Sequence, residues 1–276
     1  MNYVELNCSL PEGEANIAEL IMAALGELGF ESFVENENGL LAYIQAPDFD
    51  VSILNNQELW PEGSTPSYTW QIIEDQNWNA LWESNFEPVI IDGRCMVRAP
   101  FHPKNNDIEF DIEIEPKMSF GTAHHETTSQ IICLLLNTDV KDKTVLDMGC
   151  GTGVLAILAA MKGASKITAI DNDEWAYHNS VENTAKNNLP HIDVYQGDAA
   201  LLEGKHFDIL IANINRNILL NDMHHYRKCM TPGSILMMSG FYTQDVEAIT
   251  TRANELGLSF ISQTKKNNWA TATFVL

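Results

Sequence analysis

Hydrophobic positions follow two different patterns along the chain, and the pattern changes near Glu126. In the first part, short runs alternate between apolar and polar residues and are bounded by turn-forming residues, which is typical of strands. The predicted strands cover residues 3–9, 32–35, 40–45 and 67–73, with helices predicted at residues 12–28 and 50–59. The resulting order β-α-β-β-α-β predicts a small ferredoxin-like α+β domain over residues 1–74.

A polar segment with two tryptophans follows this domain. Residues 75–87 predict a linker helix whose Trp78 and Trp82 dock on neighbouring parts of the protein. Two further strands are predicted at residues 89–98 and 108–114, the second with strict alternation of apolar and acidic positions. We therefore expect the second domain to cover residues 88–276.

Helices and strands alternate in the second domain beyond Glu126. Apolar periodicity predicts helices at residues 127–136, 154–162 and 175–188, and strands at residues 144–148, 166–170, 193–195 and 207–212. This alternation predicts a parallel sheet with helices on both faces, as in Rossmann-like α/β domains. Ligands of such sheets bind at the carboxyl ends of the strands, so residues just after strands are the candidate site residues.

The net charge narrows the range of partners. The chain has 38 acidic and 16 basic residues, which gives a net charge of −22. The negative electrostatic potential of such a protein repels a phosphate backbone, so we expect no direct binding of nucleic acid. The acidity either keeps the protein in solution or attracts a basic protein substrate, and the composition leaves both explanations open.

Cysteine spacing and hydropathy exclude other classes. The five cysteines are scattered and form no Cys-x-x-Cys pair, which argues against a zinc ribbon or a disulfide framework. The first residues lack a basic stretch followed by an apolar run, and no run of 18 apolar residues occurs. We expect a cytoplasmic protein without a membrane segment, and a monomer because no heptad pattern is visible.

A glycine-rich loop follows the predicted strand at residues 144–148. Gly149, Gly151 and Gly153 alternate with other residues, so the backbone there can approach a ligand without an intervening Cβ. A dinucleotide fingerprint would require a glycine where Val154 stands, and a phosphate-binding P-loop would require Gly-Lys-Ser/Thr. Asp147 beside the glycines would repel a pyrophosphate and attract an ammonium group. The loop therefore favours a cationic nucleoside cofactor without phosphates.

Two further aspartates follow the next strands. Asp171 lies 22 residues after Gly149 (171 − 149), close to the spacing at which a carboxylate accepts ribose hydroxyls. Asp198 follows the third strand, where a carboxylate could accept the adenine amino group. Each aspartate alone could equally be a helix cap or a turn residue. The ordered set, however, resembles the S-adenosylmethionine pocket of class I methyltransferases.

Asn213 follows the fourth strand, in the sequence Asn-Ile-Asn-Arg. Many amino-directed methyltransferases of class I carry Asn-Pro-Pro-Tyr or a relative there, and a carbonyl oxygen that accepts an amine N–H orients the nitrogen lone pair. We therefore expect Asn213 to be catalytic and the substrate to be an amine. Arg216 stands where base methyltransferases place a stacking aromatic residue, which argues against nucleic acid. The alternative role for Asn213 is a helix cap.

The segment Phe120-Gly-Thr-Ala-His-His-Glu-Thr-Thr128 precedes the helix before the glycine loop. It is similar to the Phe-Gly-Thr-Gly-x-His-x-Thr-Thr motif of the PrmA family, the methyltransferases of ribosomal protein L11. With residues 145–154, Asn213-Ile and the tryptophan segment, the chain resembles this family over nearly all of its length. Asn77 and Ala123 depart from the family pattern, which has aspartate and glycine there.

The resemblance implies a fold, a reaction and a set of roles. It implies that the N-terminal domain recognises ribosomal protein L11, that the linker lets it reorient, and that the C-terminal domain methylates lysine and N-terminal α-amino nitrogens, converting S-adenosylmethionine to S-adenosylhomocysteine. By motif position, Thr128, Gly149, Asp171 and Asn213 would bind the cofactor, and Phe120 and Thr122 would lie over its sulfonium.

Three alternatives stay open at this point. A metal site at His124, His125 and Glu126 is conceivable, but adjacent side chains rarely all point inward, and we expect no metal. A class I methyltransferase that acts on another protein or on a small amine would carry the same pocket. A binding module that has lost transfer activity is the non-enzyme alternative, although the intact Asp171 and Asn213 argue against it.

Overall fold

The computed structural model describes residues 2–9, 15–36, 39–55, 67–73, 87–117 and 119–276. The chain divides into two compact units, Met1–Asn85 and Phe86–Leu276. In the described ranges, none of the helices has the length and apolar character required to cross a membrane.

The N-terminal unit contains a four-stranded antiparallel sheet within its described residues. Its elements are β1 (Tyr3–Ser9), α1 (Ala15–Glu27), β2 (Ser32–Asn36), β3 (Gly39–Gln45) and β4 (Ser67–Ile73). The strand order is β2-β3-β1-β4, and alternate residues of β1 and β3, such as Leu6 and Leu40, pack in one core. All four predicted strands are present. The predicted helix at residues 50–59 is a 3₁₀ turn at Val51–Asn55, and its remainder lies outside the described residues, so the ferredoxin-like assignment stays a prediction.

A small three-stranded sheet opens the second unit. It contains β5 (Val89–Ile91), β6 (Cys95–Arg98) and β7 (Phe110–Glu113). The prediction of one strand over residues 89–98 was wrong, because Asp92 and Gly93 both have positive φ (53° and 63°) and reverse the chain in a hairpin turn. Of the predicted linker, only residue 87 is described. Trp78, Trp82 and Asn77 lie outside the described residues, and the domain boundaries stay a prediction.

The second unit is built on a seven-stranded sheet that lies wholly within the described residues. Its helices and strands are α2 (Glu126–Leu136), β8 (Thr144–Met148), α3 (Val154–Met161), β9 (Lys166–Asp171), α4 (Glu174–Lys186), β10 (Asp193–Gln196), β11 (Phe207–Asn213), α5 (Arg216–Lys228), β12 (Met230–Tyr242), α6 (Val246–Glu255), β13 (Ser259–Lys266) and β14 (Trp269–Val275). The strand order is β10-β9-β8-β11-β12-β14-β13. The first five strands are parallel and β14 runs antiparallel to both neighbours. The predicted Rossmann-like α/β fold is confirmed.

Both faces of the central strands are buried, which explains their nearly continuous apolar sequences. Val145 and Ile209 face a core that also contains residues of α2 and α3. Leu146 and Leu210, their immediate neighbours in sequence, face a second core with residues of α5 and α6. Alternation along each strand thus attaches helices to both faces of the sheet.

The order of the strands creates a cleft between β8 and β11. From β8 the chain proceeds outward through β9 to β10, and it then returns to form β11 on the other side of β8. In open sheets of this kind, the loops after the two central strands separate and leave a crevice at the carboxyl ends. The glycine loop after β8 and Asn213 at the end of β11 flank this crevice.

The C-terminal end of α2 is attached to the end of α3 by a lysine. The Lys162 ammonium donates hydrogen bonds to the backbone carbonyls of Leu135, Leu136 and Thr138, which satisfies acceptors that a helix end leaves open. Partial burial lowers the pKa of Lys162. Because the other end of α2 reaches the cleft, this contact positions the site.

We predict that Lys162→Met lowers the free energy of unfolding by about 1–3 kcal/mol, because three acceptors lose a charged donor. Urea denaturation followed by circular dichroism measures the change. Lys141→Met, at an exposed position, is the matched control and should change stability by less than about 0.5 kcal/mol. Equal losses in the two variants would contradict this role for Lys162.

Candidate active site

A cavity of about 880 Å³ lies at the carboxyl ends of the parallel strands. Gly149 and Gly151 after β8, Asp171 at the end of β9 and Asn213 at the end of β11 all line it. Its volume lies within the range of small-molecule and cofactor sites. The structure therefore brings together four of the residues that the sequence singled out.

The glycine loop is crossed by the segment that precedes α2. The Phe120 carbonyl accepts a hydrogen bond from the Thr152 backbone N–H (2.9 Å), and the Gly121 carbonyl accepts one from the Thr152 hydroxyl (2.7 Å). Gly151 has a φ of 55°, and a Cβ on it would lie 2.2 Å from the Phe120 oxygen. Only glycine fits there, because both the backbone conformation and the contact distance exclude a side chain.

Part of the predicted lid lies at the cavity. Phe120 lines the cavity and is 52% exposed. Thr122 is not among the described residues of the cavity wall, and its hydroxyl contacts Nδ1 of His124 (3.1 Å). Ala123 has a φ of 69°, the left-handed conformation that glycine adopts most easily, so this loop takes a glycine-type conformation despite the alanine.

Asp171 connects the end of β9 to the glycine loop. Its Oδ2 accepts the Gly151 backbone N–H (2.8 Å) and its Oδ1 accepts the Asp173 backbone N–H (3.1 Å). A carboxylate has about four lone-pair positions, so two acceptor positions stay open for a ligand in the cavity. Asp171 can therefore orient the loop and accept ligand hydroxyls at the same time.

Asp147 lies fully buried beside the glycine loop. Its Oδ2 accepts the Ala156 backbone N–H (3.1 Å), while its Oδ1 has no hydrogen-bond partner among the described residues. Burial raises the pKa of Asp147 to about 7, the Ala156 N–H opposes that rise, and the charge of Asp171 adds to it. A cationic ligand in the cavity would favour the ionised form of Asp147.

Three other predicted residues lie outside the described part of the cavity wall. Asp198 accepts the Ala200 backbone N–H (2.9 Å) and thereby caps a 3₁₀ turn, which is the alternative role that the sequence left open. Gly153 is the N-cap of α3, with a φ of 78°. Thr128 is buried against Asn213. The structure does not test their contacts with a cofactor, which stay predictions.

Asn213 lines the cavity, and one of its two amide atoms has no hydrogen-bond partner among the described residues. Its Nδ2 donates to the Thr128 hydroxyl (3.2 Å), and its Oδ1 is buried without a partner in the part of the chain that is described. The alternative role, capping of the next helix, belongs to Asn215, whose Oδ1 accepts the Ile218 backbone N–H (3.1 Å). An oriented acceptor at a strand end is the arrangement that amine recognition requires.

The two adjacent histidines and Glu126 have separate partners. His124 Nε2 contacts the Glu87 carbonyl (2.9 Å), and His125 Nδ1 accepts the Thr127 backbone N–H (3.3 Å) as the N-cap of α2. Glu126 accepts from the Asn267 amide (2.7 Å). Within the described ranges, no group of three or more His, Cys, Asp or Glu side chains is arranged to bind a metal.

Several cavity residues were missed by the sequence analysis. Asn172 and Asp173 directly follow β9, so the strand-end argument that identified Asp171 could have included them. Thr127, rather than Thr128, lines the cavity, because the N-cap at His125 sets which face of α2 points there. Trp269 begins β14, a strand outside the predicted elements, and no local signal indicated it.

The cavity fits a cationic nucleoside ligand such as S-adenosylmethionine. Its wall contains backbone without side chains at Gly149 and Gly151 and the carboxylates of Asp171 and Asp173, whereas the fully buried Asp147 is not among the described residues of the wall. Carboxylates favour positive charge and accept hydroxyls, and bare backbone permits close approach. The residues that are present therefore suit this cofactor.

Comparison with known proteins finds one family that matches most of the chain. The family described as ribosomal protein L11 methyltransferase (PrmA) matches residues 19–275. A ribosomal protein L11 methyltransferase of Phocaeicola vulgatus is 49% identical over 280 residues, covering 100% of both chains. One of Chlorobaculum tepidum is 33% identical, covering 98% of this chain and 96% of its own.

A solved structure supports the fold. The crystal structure of ribosomal protein L11 methylase from Lactobacillus delbrueckii subsp. bulgaricus matches with a TM-score of 0.63 and 22% identity. It covers 68% of this chain and 98% of the solved chain. At this identity the match establishes the fold of the covered part.

We predict that Asp147→Asn stabilises the protein without ligand at high pH. Because the pKa rises from 3.8 unfolded to about 7 folded, ionisation makes the wild type less stable as pH increases from about 4 to 7. The full pKa difference between the unfolded and folded states corresponds to about 4 kcal/mol in the free energy of unfolding, at about 1.36 kcal/mol per pKa unit. Denaturant titrations should therefore give a larger advantage for the variant at pH 8 than at pH 5.

Asp208→Asn is the control, and we expect the opposite change in stability from it. The Thr144 backbone N–H lowers the pKa of Asp208, so its ionised form stabilises the fold and the variant should lose stability at pH 8. An advantage for Asp147→Asn that is the same at both pH values would contradict the buried-charge explanation.

Proposed function

The chain belongs to the PrmA family of ribosomal protein L11 methyltransferases, and from this premise we propose that it methylates ribosomal protein L11. The acceptors in this proposal are lysine and N-terminal α-amino nitrogens, and S-adenosylmethionine is the methyl donor. The observation that carries the proposal is the buried, unpartnered Oδ1 of Asn213 at the cavity. Among the described residues at strand ends in the cavity wall, Asn213 has the acceptor atom that lacks a hydrogen-bond partner.

Asn213 orients the amine nitrogen. Its Oδ1 accepts one N–H of a neutral amine, which directs the nitrogen lone pair toward the methyl group. The Thr128 hydroxyl fixes the amide by accepting from Nδ2, so that Oδ1 faces the substrate. The cofactor supplies an electrophilic methyl group on a positively charged sulfur. Asn213 therefore acts by orientation and is not required to remove a proton.

Other residues of the chain bind the cofactor in this proposal. The backbone of Gly149 and Gly151 contacts it closely, Asp171 accepts its ribose hydroxyls, and Asp147 favours its positive charge. Phe120 covers the sulfonium from the loop before α2. The proposal retains the cofactor contacts that the sequence predicted for Gly153, Thr122, Thr128 and Asp198. Asp198 also caps its own 3₁₀ turn.

The amine must lose its proton before transfer. An α-amino group has a pKa near ~8 and lysine near ~10.4, so a neutral lysine costs roughly 4–5 kcal/mol at pH 7. Bulk water can accept this proton before the amine enters the site. The cost implies that transfer to lysine becomes faster as the pH rises.

The charge of the protein is complementary to a basic substrate. A net charge of −22 attracts a basic protein and repels nucleic acid, so the proposal includes ribosomal protein L11 as partner and no bound nucleic acid. The N-terminal unit recognises this substrate, and residues 75–87 act as the linker. The proposal also includes that the protein is a monomer and that it is located in the cytoplasm. No observation favours another protein or a small amine as substrate.

The proposal is tested with isotopically labelled S-adenosylmethionine and purified ribosomal protein L11. Peptide mass spectrometry should locate methyl groups on lysine or α-amino nitrogens. Asn213→Ala should reduce kcat by about 10²–10³, because removal of one orienting group in a closed site has costs of this order. Cofactor affinity measured by calorimetry should change by less than about tenfold.

Asn137→Ala is the matched control, since this exposed asparagine caps the far end of α2 and its amide donates to the Cys133 carbonyl. Its kcat should equal that of the wild type. Cofactor binding without methyl transfer to ribosomal protein L11 would contradict the assignment of this protein as the substrate. Full activity of Asn213→Ala would overturn the role of Asn213.

A further inference from the structure

Lys117 places a positive charge in the wall of the cavity. No other described residue of the wall is a lysine or an arginine, whereas Asp171 and Asp173 contribute carboxylates to it. The roles of Asn213 and Asp171 use an amide oxygen and a carboxylate, and neither role requires a cation. In a protein with a net charge of −22, a lysine in a ligand cavity is a candidate partner for a negatively charged group of the ligand.

Hydrogen bonds from α4 hold the segment that leads to Lys117. The Glu115 backbone N–H donates to Asn183 Oδ1 (2.9 Å), and Asn179 Nδ2 donates to the Glu115 carbonyl (3.3 Å). Asn183 Nδ2 also donates to the Thr152 carbonyl (2.9 Å), which ties the same helix to the glycine loop. Both asparagines are buried. The backbone before Lys117 is therefore fixed relative to the glycine loop without a ligand, which lowers the entropic cost of binding.

The Lys117 ammonium forms an ion pair with Glu182 of α4, and this hydrogen bond lowers the pKa of Glu182. Lys186 contacts the same carboxylate (3.3 Å), so Glu182 keeps a partner when Lys117 contacts a ligand. The Lys117 side chain is 51% exposed, and an ammonium has three donors. Lys117 can therefore donate to an acceptor in the cavity while it stays beside Glu182.

Ser119 supplies a second donor from the same segment. It lies two residues after Lys117, and both residues line the cavity. The Ser119 hydroxyl oxygen is buried and has no hydrogen-bond partner within the described ranges. A buried hydroxyl without a partner costs free energy, and a ligand oxygen that accepts its proton removes that cost. A carboxylate has two oxygens and can accept from an ammonium and a hydroxyl together.

S-adenosylmethionine carries a carboxylate on its methionine part. In the proposed function, Asp171 accepts the ribose hydroxyls and Asn213 orients the amine toward the methyl group. The methionine part, which is the third substituent of the sulfonium, must therefore extend toward another part of the wall. The carboxylates of Asp171 and Asp173 repel a negative group, whereas the Lys117 ammonium attracts one.

We propose that Lys117 and Ser119 bind the carboxylate of the methionine part of the cofactor, with the ammonium and the hydroxyl each donating to one of its oxygens. This inference rests on the proposed function, since it takes S-adenosylmethionine as the methyl donor. It divides the cavity by charge, because acidic residues hold the hydroxyl and cationic groups of the cofactor and Lys117 holds its anionic group. The cavity thereby selects nucleosides that carry a complete amino acid.

The test is isothermal titration calorimetry of the full chain with two ligands. One is S-adenosylhomocysteine, and the other is its decarboxylated form, in which hydrogen replaces the carboxylate. In an acidic cavity without a cationic subsite, the decarboxylated ligand would bind more tightly, because its net charge is more positive. The inference predicts the reverse. S-adenosylhomocysteine should bind the wild type about 5–30-fold more tightly, the range expected for a partly exposed charge-assisted hydrogen bond.

Variants locate the preference for the carboxylate. Lys117→Met should abolish or reverse it, and Lys117→Arg should retain part of it. Ser119→Ala should reduce it by about 2–5-fold, as expected for one neutral donor. The double variant Lys117→Met/Glu182→Gln removes repulsion by the Glu182 carboxylate, and it should show the same loss as Lys117→Met. The net-charge control is Lys166→Met, because Lys166 is exposed at the opposite end of β9 from Asp171, and it should keep the full preference.

Equal affinity of the wild type for the two ligands, or tighter binding of the decarboxylated one, would overturn the inference. An unchanged preference in Lys117→Met, or a preference regained in the double variant, would also overturn it. These outcomes differ from failure of the proposed function, which is an absence of methyl transfer to ribosomal protein L11. A wild type that binds neither ligand would contradict the cofactor and the carboxylate subsite together.

Discussion

The contact between the Phe120 carbonyl and the Thr152 N–H, made directly over Gly151, is the constraint on which the rest of the site depends. It attaches the segment before α2 to the loop after β8. Through this crossing, Phe120 and His125 reach a cavity whose opposite wall comes from β9 and β11. Asp171 stabilises the same loop by accepting the Gly151 N–H. A cavity built from distant parts of the chain thus rests on one close backbone approach.

The electrostatics of the site add a second constraint. Asp147 on β8 is completely buried, and this burial, together with the charge of Asp171, raises its pKa to about 7. This arrangement costs stability in the free protein near neutral pH. A cation bound in the cavity offsets the cost, since it favours the charged form. The site is therefore less stable than it could be without a ligand, and it is suited to a positively charged one.

The sequence predicted the features that depend on local pattern. The glycine loop, Asp171 and Asn213 each follow a continuous apolar strand, and parallel strands bring their ends together whatever the intervening loops contain. Features that depend on distant pairing could not be predicted. Trp269 reaches the cavity because β14 pairs antiparallel with both β12 and β13, and no local pattern specifies this pairing. The turn at Asp92, by contrast, had a local signal that the prediction overlooked, since Asp-Gly between two apolar runs is typical of a hairpin.

The central claim, that the close approach at Gly151 forms the cofactor site, is tested most directly by calorimetry of S-adenosylmethionine binding. Gly151→Ala is compared with Gly204→Ala, because Gly204 also has a positive φ (72°) but has no atom within 4 Å of the added Cβ. Backbone strain of about 1 kcal/mol is then common to both variants, and only the first meets the Phe120 carbonyl. The account predicts that Gly151→Ala weakens binding by at least about 100-fold, or ~2.7 kcal/mol, whereas Gly204→Ala binds like the wild type. Wild-type affinity in Gly151→Ala would contradict it.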